Sequence, residues 1–205
     1  MSDTVIQDGI IAGNYSDKYE SKNPIARYFI NGFLRTLELL VEETGAGEIH
    51  EIGCGEGYLS RFLAKKGFKI RGTDFSEEII EIAKRSSEPL PIQFKVGSIY
   101  ELDPERDSAS LVLCCEVLEH LENPERALEL IKTLANPYFI LSVPREPLWR
   151  FLNMMRGKYI SDLGNTPGHL QHWSKQSFLR MLKKKDIKIL KVLSPLPWTF
   201  VLCER

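Results

Sequence analysis

The sequence predicts an open α/β sheet with mostly parallel strands and helices on both faces. Short apolar stretches alternate five times with helical stretches, an order that produces parallel strands joined by right-handed crossovers. The run Ala109–Cys115 is apolar apart from Ser110, which is typical of a strand covered on both faces. Because only a short turn separates the last two predicted strands, we expect them to form a hairpin. This hairpin places one antiparallel strand in an otherwise parallel, doubly wound sheet.

Periodicity and capping signals locate the individual elements. Apolar residues at helical spacing predict a helix that starts near Ala26 and ends at Gly45. Ser76 and Asn123 stand where N-caps are expected, each directly before a helical stretch. The predicted strands are 48–52, 68–73, 92–96, 109–115, 138–143, 187–192 and 199–203, and the further predicted helices are 58–66, 77–86, 124–134 and 175–184.

Composition and charge restrict the possible functions. The 205 residues include 43% hydrophobic residues, which suits one globular domain over 1–205, with an N-terminal arm and helix at 1–45 and a lid at 145–173. The 27 basic and 28 acidic residues nearly cancel, so no strong field attracts nucleic acid. The sequence shows no membrane span or signal peptide and no CxxC pair, so we expect a cytoplasmic protein without disulfides.

A glycine-rich loop follows the first predicted strand of the sheet. In Glu51–Tyr58, glycines at alternate positions allow a tight turn and a close approach to a ligand. A dinucleotide fingerprint needs a small residue where this chain has Tyr58, and a P-loop needs a Gly-Lys-Ser/Thr that is missing. A dehydrogenase remains an alternative only if the loop accepts a pyrophosphate beside Tyr58 and binds NAD.

The acid-x-Gly-x-Gly-x-Gly pattern resembles motif I of the class I S-adenosylmethionine (SAM)-dependent methyltransferases, which have a Rossmann-like fold. The resemblance implies that SAM is the cofactor and that Asp74, in Gly72–Ser76, accepts hydrogen bonds from the ribose hydroxyls. It implies a cofactor site made of Arg27, Glu51, Gly53, Cys54, Gly55, Gly57, Asp74, Phe75, Ser98, Ile99 and Cys115.

Three of these assignments carry alternatives. The family usually has an aspartate after the third strand, where this chain has Gly97–Ile99, so Ser98 or the backbone of Ile99 would meet the adenine. Cys115 would lie near the methionine part of the cofactor, or would be a small buried hydrophobe. Arg27, with Tyr15 and Tyr19 of the arm, would approach the cofactor carboxylate, or would be a charge facing solvent.

A cluster of acids and histidines follows the fourth predicted strand of the alternating series. If a helix begins here, Glu116, Glu119 and His120 share one face, and His169 supplies a further side chain from a distant loop. Carboxylates and imidazoles are ligands for Mg²⁺, Mn²⁺, Fe²⁺ or Zn²⁺, so the four residues are a candidate metal site. Glu116, His120 and His169 are also candidate catalytic groups. The alternative is a Glu-His pair that orients the crevice without a metal.

The Glu-x-x-Glu-His pattern, the loop with Gly168 and His169, and Asn23–Arg27 resemble motifs of the ubiquinone-biosynthesis-type O-methyltransferases. This resemblance implies methyl transfer to a small-molecule or lipid-like acceptor, at oxygen. Small-RNA 3′-terminal 2′-O-methyltransferases share part of the pattern, and a non-catalytic SAM-binding partner protein is a further alternative. The segment Pro147–Tyr159 mixes apolar and basic residues, which suits an amphipathic helix that covers the substrate or rests on a membrane surface. The alternative is an ordinary lid packed on the core.

Overall fold

The computed structural model describes residues 5–7, 10–12 and 22–205. The strands are β1 Val5–Gln7, β2 Ile10–Ala12, β3 Ile49–Ile52, β4 Ile70–Asp74, β5 Gln93–Val96, β6 Ala109–Cys115, β7 Ala135–Pro144, β8 Lys188–Leu193 and β9 Trp198–Glu204. The helices are α1 Pro24–Thr44, α2 Tyr58–Ala64, α3 Glu77–Ser87, α4 Pro104–Asp107, α5 Pro124–Leu134, α6 Leu148–Met155 and α7 Lys175–Lys184. Short 3₁₀ turns occupy Ile99–Glu101, Leu118–His120 and Ile160–Asp162.

The central sheet has seven strands in the order β5-β4-β3-β6-β7-β9-β8. Pairings among β3 to β7 are parallel, and β9 pairs antiparallel with both β7 and β8. The predicted C-terminal hairpin with its single antiparallel strand is therefore confirmed. Strand order reverses direction between β3 and β6, and ligands of such sheets bind beyond the carboxyl ends of the strands at this switch point.

Capping residues, among them the predicted Ser76 and Asn123, fix where the helices begin and end. The side chain of Asn23 accepts a hydrogen bond from the Ile25 amide at 2.9 Å, and Gly45 ends α1 in the left-handed conformation. Ser76 caps α3, and Asn123 caps α5 through the Arg126 amide at 3.1 Å. These caps satisfy backbone amides that have no partner inside the helix.

Helices cover both faces of the sheet, as predicted. On one face, Phe33 of α1 is fully buried and packs edge-on against Trp198 and Phe200 of β9. On the other face, Ile131 of α5 and Phe178 of α7 belong to a second buried cluster. The sheet therefore lies between two apolar layers, and its carboxyl edge is held in place from both sides.

Strand β3 contains two consecutive buried residues with ionisable side chains, His50 and Glu51. His50 donates from Nδ1 to the Asp107 carbonyl at 2.7 Å, and the Thr73 hydroxyl pairs with Nε2 at 2.8 Å. Burial lowers the pKa of His50 to about 4, so the ring is neutral near pH 7. Glu51 accepts a hydrogen bond from the Ser60 hydroxyl, and burial raises the pKa of Glu51 to about 8.

The segment at 145–173, which was predicted to be a lid, contains helix α6, and its last residues lead into α7. All four cysteines are free and buried. In the described ranges, no helix combines the length and the apolar character needed to cross a membrane. Tyr15 and Tyr19 of the predicted arm lie outside the described residues.

The buried Glu51 predicts a loss of stability as the pH rises. The unfolded chain ionises this group at its ordinary pKa of 4.5, whereas the folded chain keeps it protonated up to about 8. Between pH 6.5 and 8 the unfolded state therefore binds fewer protons, and the unfolding free energy should fall by up to about 1.4 kcal/mol per pH unit. Urea denaturation at several pH values measures this slope.

Glu51→Gln is the matched variant, because the amide has the shape of the neutral carboxyl and does not titrate. The wild type should lose stability relative to this variant as the pH rises. Glu105→Gln, at an exposed position on α4, controls for the change in net charge. Parallel stability curves for the wild type and Glu51→Gln would contradict the assignment.

Candidate functional site

The turn after β3 forms one half of the candidate site. Gly53, Gly55 and Gly57 have φ angles of 71°, 52° and 73°, which favour glycine. A Cβ at Gly53 would lie 2.4 Å from Val117, and one at Gly57 would lie 2.7 Å from Phe94. At Gly55, by contrast, no atom of the described residues comes within 4 Å of such a Cβ. Packing fixes the ends of the turn, and its middle faces open space that suits a ligand.

Asp74, at the end of β4, holds this turn in place. Its Oδ2 accepts from the Gly55 amide at 2.9 Å, and its Oδ1 accepts from the Ser76 amide at 3.2 Å. Burial raises the pKa of Asp74, and the hydrogen bonds from Gly55 and Ser76 oppose that shift. Each carboxylate oxygen has more than one acceptor site, so Asp74 keeps capacity to accept hydroxyl donors from a ligand.

The predicted adenine-side residues lie beside this turn and are largely engaged within the protein. Ser98 uses its hydroxyl to accept from the Tyr100 amide at 3.3 Å, and the Ile99 side chain is 7% exposed and joins the core. Cys54 is buried against Gly72. The contacts of these residues with a cofactor remain predictions.

Three further predicted cofactor residues surround the same edge of the sheet. Arg27 is exposed in the first turn of α1, and Phe75 is partly buried directly after Asp74. Cys115 ends β6 with 7% exposure, and burial raises the pKa of its thiol above the ordinary value of 9.0. A thiol of this kind stays protonated and packs as a small apolar group.

The helix predicted over Glu116–His120 is wrong. Glu116 has a φ of 60°, and the chain then enters the 3₁₀ turn Leu118–His120. A left-handed residue redirects the backbone, so the helical spacing that would put Glu116 on one face with Glu119 and His120 does not apply. Instead, Glu116 Oε2 accepts from the Trp198 indole at 2.6 Å.

Glu119, His120 and His169 are brought together although His169 lies far along the chain. The amides of Leu170 and Gln171 donate to the Glu119 carbonyl at 2.8 and 2.9 Å. The His120 and His169 rings meet edge to face with centroids 4.9 Å apart. One ligand atom from each of the three side chains lies within 4.8 Å of the others, in a group that does not include Glu116. The candidate metal site therefore contains three of the four residues suggested by the sequence.

These three residues have the chemistry of a divalent-metal site. His120 donates from Nδ1 to the Gly168 carbonyl at 3.0 Å, so Nε2 is the ring nitrogen that would bind a metal. Glu119 and His169 are 1% and 8% exposed, so the donor atoms lie in a partly dry environment. One carboxylate with two imidazoles fits Zn²⁺, Fe²⁺ or Mn²⁺ better than Mg²⁺, which prefers oxygen ligands.

Two tryptophans complete the site and were not assigned to it from the sequence. Trp149 of α6 stacks on His169 with centroids 6.1 Å apart, and it lies 5.6 Å from Trp198. The Trp149 indole donates to the Thr166 hydroxyl at 2.9 Å. A buried tryptophan needs a partner for its N–H, but the sequence does not reveal which distant residue supplies it.

Comparisons with known proteins place the chain in a family. Residues 26–192 match a family described as methyltransferase domain. The ubiquinone biosynthesis O-methyltransferase of Coxiella burnetii is 29% identical over 147 aligned positions, covering 64% of this chain and 63% of that protein. The chain spans less than two thirds of the length of the curated relatives that it matches.

Solved structures share the fold at low sequence identity. The magnesium protoporphyrin IX methyltransferase of Synechocystis PCC 6803, with bound S-adenosylhomocysteine, has a TM-score of 0.67 and 20% identity and covers 93% of this chain and 90% of that chain. A SAM-dependent methyltransferase from Aquifex aeolicus has a TM-score of 0.63 and 16% identity, covering 82% of this chain and 88% of that one. The Rossmann-like architecture is therefore confirmed. Since the family match runs from α1 to β8 and includes both halves of the site, this chain belongs to the methyltransferase domain family.

Proposed function

We propose that this protein transfers a methyl group from SAM to an oxygen of a small-molecule or lipid-like acceptor. The observation that carries the proposal is the open face of the glycine turn at Gly55, tied to Asp74, on the sheet edge shared with the Glu119–His120–His169 cluster. The family match and the O-methyltransferase relatives support the reaction class. Four free, buried cysteines support a reducing compartment such as the cytoplasm.

The cofactor half of the site suits a cationic sulfonium better than a pyrophosphate. Asp74 would accept the ribose hydroxyls, and the space beside Gly55 would admit the cofactor backbone. The partly buried Tyr58 opens α2 where a dinucleotide-binding loop needs a small residue.

The acceptor half of the site would position a hydroxyl and remove its proton. Methyl transfer needs the oxygen, the methyl carbon and the sulfur in one line, so the protein contributes mainly orientation. The rings of Trp149 and His169 offer flat surfaces for an acceptor. His120 is oriented by Gly168, and its Nε2 would take the proton as the oxygen–carbon bond forms. A divalent metal held by Glu119, His120 and His169 would instead lower the pKa of the acceptor hydroxyl.

An RNA acceptor is the second candidate, because the same Glu-His-His cluster would suit a ribose hydroxyl at an RNA end. The formal charge of −1 gives no general attraction to phosphates, so we place this candidate second. A non-catalytic cofactor-binding partner is the third interpretation. Such a protein would bind the cofactor but would methylate no acceptor, which distinguishes it from both enzymes.

The cofactor assignment predicts that Gly55→Ala weakens binding of S-adenosylhomocysteine at least about tenfold, since the new methyl group enters the space for the ligand. Gly45→Ala is a matched control. Both glycines have positive φ and no described atom within 4 Å of an added Cβ, but Gly45 lies at the remote end of α1. Isothermal titration calorimetry measures both affinities. Equal affinities for the two variants would place the cofactor elsewhere.

The acceptor assignment predicts that His120→Asn lowers kcat by about 100-fold or more, with the affinity for S-adenosylhomocysteine unchanged. Transfer of labelled methyl groups is measured on phenols with and without an alkyl tail and on an RNA with a free 3′ end. His172→Asn is the control, because His172 is exposed and bonds to Asn165. A full rate in His120→Asn would contradict the assigned role.

The same methyl-transfer assay shows whether His120 acts as a metal ligand or as a general base. If Glu119, His120 and His169 hold a metal, chelation abolishes turnover, and one of Zn²⁺, Mn²⁺, Fe²⁺ or Mg²⁺ restores it. If His120 acts as a base alone, chelation has no effect. Cofactor binding with no transfer to any acceptor would favour the non-catalytic interpretation.

A further inference from the structure

Helix α6 exposes apolar side chains and buries a polar one. Phe151, Met154 and Met155 are 54%, 38% and 70% exposed, whereas Asn153 is 1% exposed. The three apolar residues have the i, i+3, i+4 spacing of a single helical face. A surface helix of a globular protein normally shows the reverse arrangement, with its apolar stripe toward the core.

The turn after α6 extends this apolar surface. Ile160 and Leu163 are 63% and 67% exposed. Two hydrogen bonds of 2.9 Å fix the turn against the helix. The side-chain amide of Asn153 donates to the Gly164 carbonyl. The Arg150 guanidinium donates to the Leu163 carbonyl. We call the resulting surface the lid face, and it consists of Phe151, Met154, Met155, Ile160 and Leu163.

The charges around the lid face are mainly positive. Arg156 and Lys158 are exposed between α6 and the turn, and the partly buried Arg150 lies in the first turn of α6. Between residues 148 and 164 the single acidic residue is Asp162. A locally basic, apolar surface on a chain with a formal charge of −1 is complementary to a lipid surface that carries negative headgroups.

We propose that the lid face binds peripherally to membranes that contain anionic lipids. The apolar side chains would enter the boundary between headgroups and acyl chains, and Arg156 and Lys158 would contact the headgroup phosphates. The opposite side of α6 carries Trp149, which stacks on His169, so membrane contact would lie directly over the candidate acceptor site. The proposal does not depend on the acceptor, because membrane binding is measured without SAM.

Co-sedimentation of the full chain with vesicles tests the proposal. We expect binding to phosphatidylcholine vesicles that contain phosphatidylglycerol and much weaker binding to phosphatidylcholine alone. Replacing both cations (Arg156→Gln with Lys158→Gln) should lower the partition coefficient about fivefold for each charge removed. Replacing two apolar side chains (Phe151→Ser with Met155→Ser) should lower it about tenfold or more at constant charge. Circular dichroism checks that both variants remain folded.

The control variant combines Lys183→Gln with Lys184→Gln, which removes two exposed cations at the end of α7. Its membrane binding should equal that of the wild type. The proposal is overturned if phosphatidylglycerol vesicles do not bind, or if the control loses as much binding as Arg156→Gln with Lys158→Gln. It is also overturned if sedimentation velocity shows a dimer that Phe151→Ser with Met155→Ser converts to a monomer, because a second copy would then cover the lid face.

Discussion

The hydrogen bond from the Gly55 amide to the Asp74 carboxylate, at 2.9 Å, joins the turn after β3 to the end of β4. The rest of the carboxyl edge is arranged around this contact. Val117 closes on Gly53 from the loop after β6, and Phe94 closes on Gly57 from β5, so neighbouring strands constrain one short turn. Because these contacts hold its ends, the open space at Gly55 has a fixed position before any ligand arrives, which limits the entropy lost on binding.

The acceptor half depends on contacts between distant parts of the chain. The antiparallel strand β9 supplies Trp198, whose indole holds Glu116 and whose ring lies beside Trp149. The loop that carries His169 is fixed by amides that donate to the Glu119 carbonyl. The C-terminal hairpin and the segment around α6 therefore shape the surface beside the histidines, whereas the cofactor half is built mainly from β3, β4 and the turn between β3 and α2.

This difference explains what could be predicted from the sequence. Strand β6 and helix α5 have the bounds that were predicted, because a largely apolar run and an Asn-Pro cap are local signals. The helix predicted at Glu116 failed because its left-handed backbone accompanies a contact with Trp198, 82 positions away. An amphipathic helix was expected within 147–159 without defined bounds, and α6 occupies Leu148–Met155. The sequence does not show which side of this helix meets the core, and the structure exposes Phe151 and Met155 while it buries Asn153.

The most direct test of the account is a calorimetric titration of the wild-type chain with S-adenosylhomocysteine and, in parallel, with NAD. The open space at Gly55, the acceptor oxygens of Asp74 and the bulk of Tyr58 all concern the same ligand site, so one experiment addresses them together. The account predicts saturable binding of S-adenosylhomocysteine at one site per chain and no binding of NAD. Binding of NAD without S-adenosylhomocysteine would contradict it.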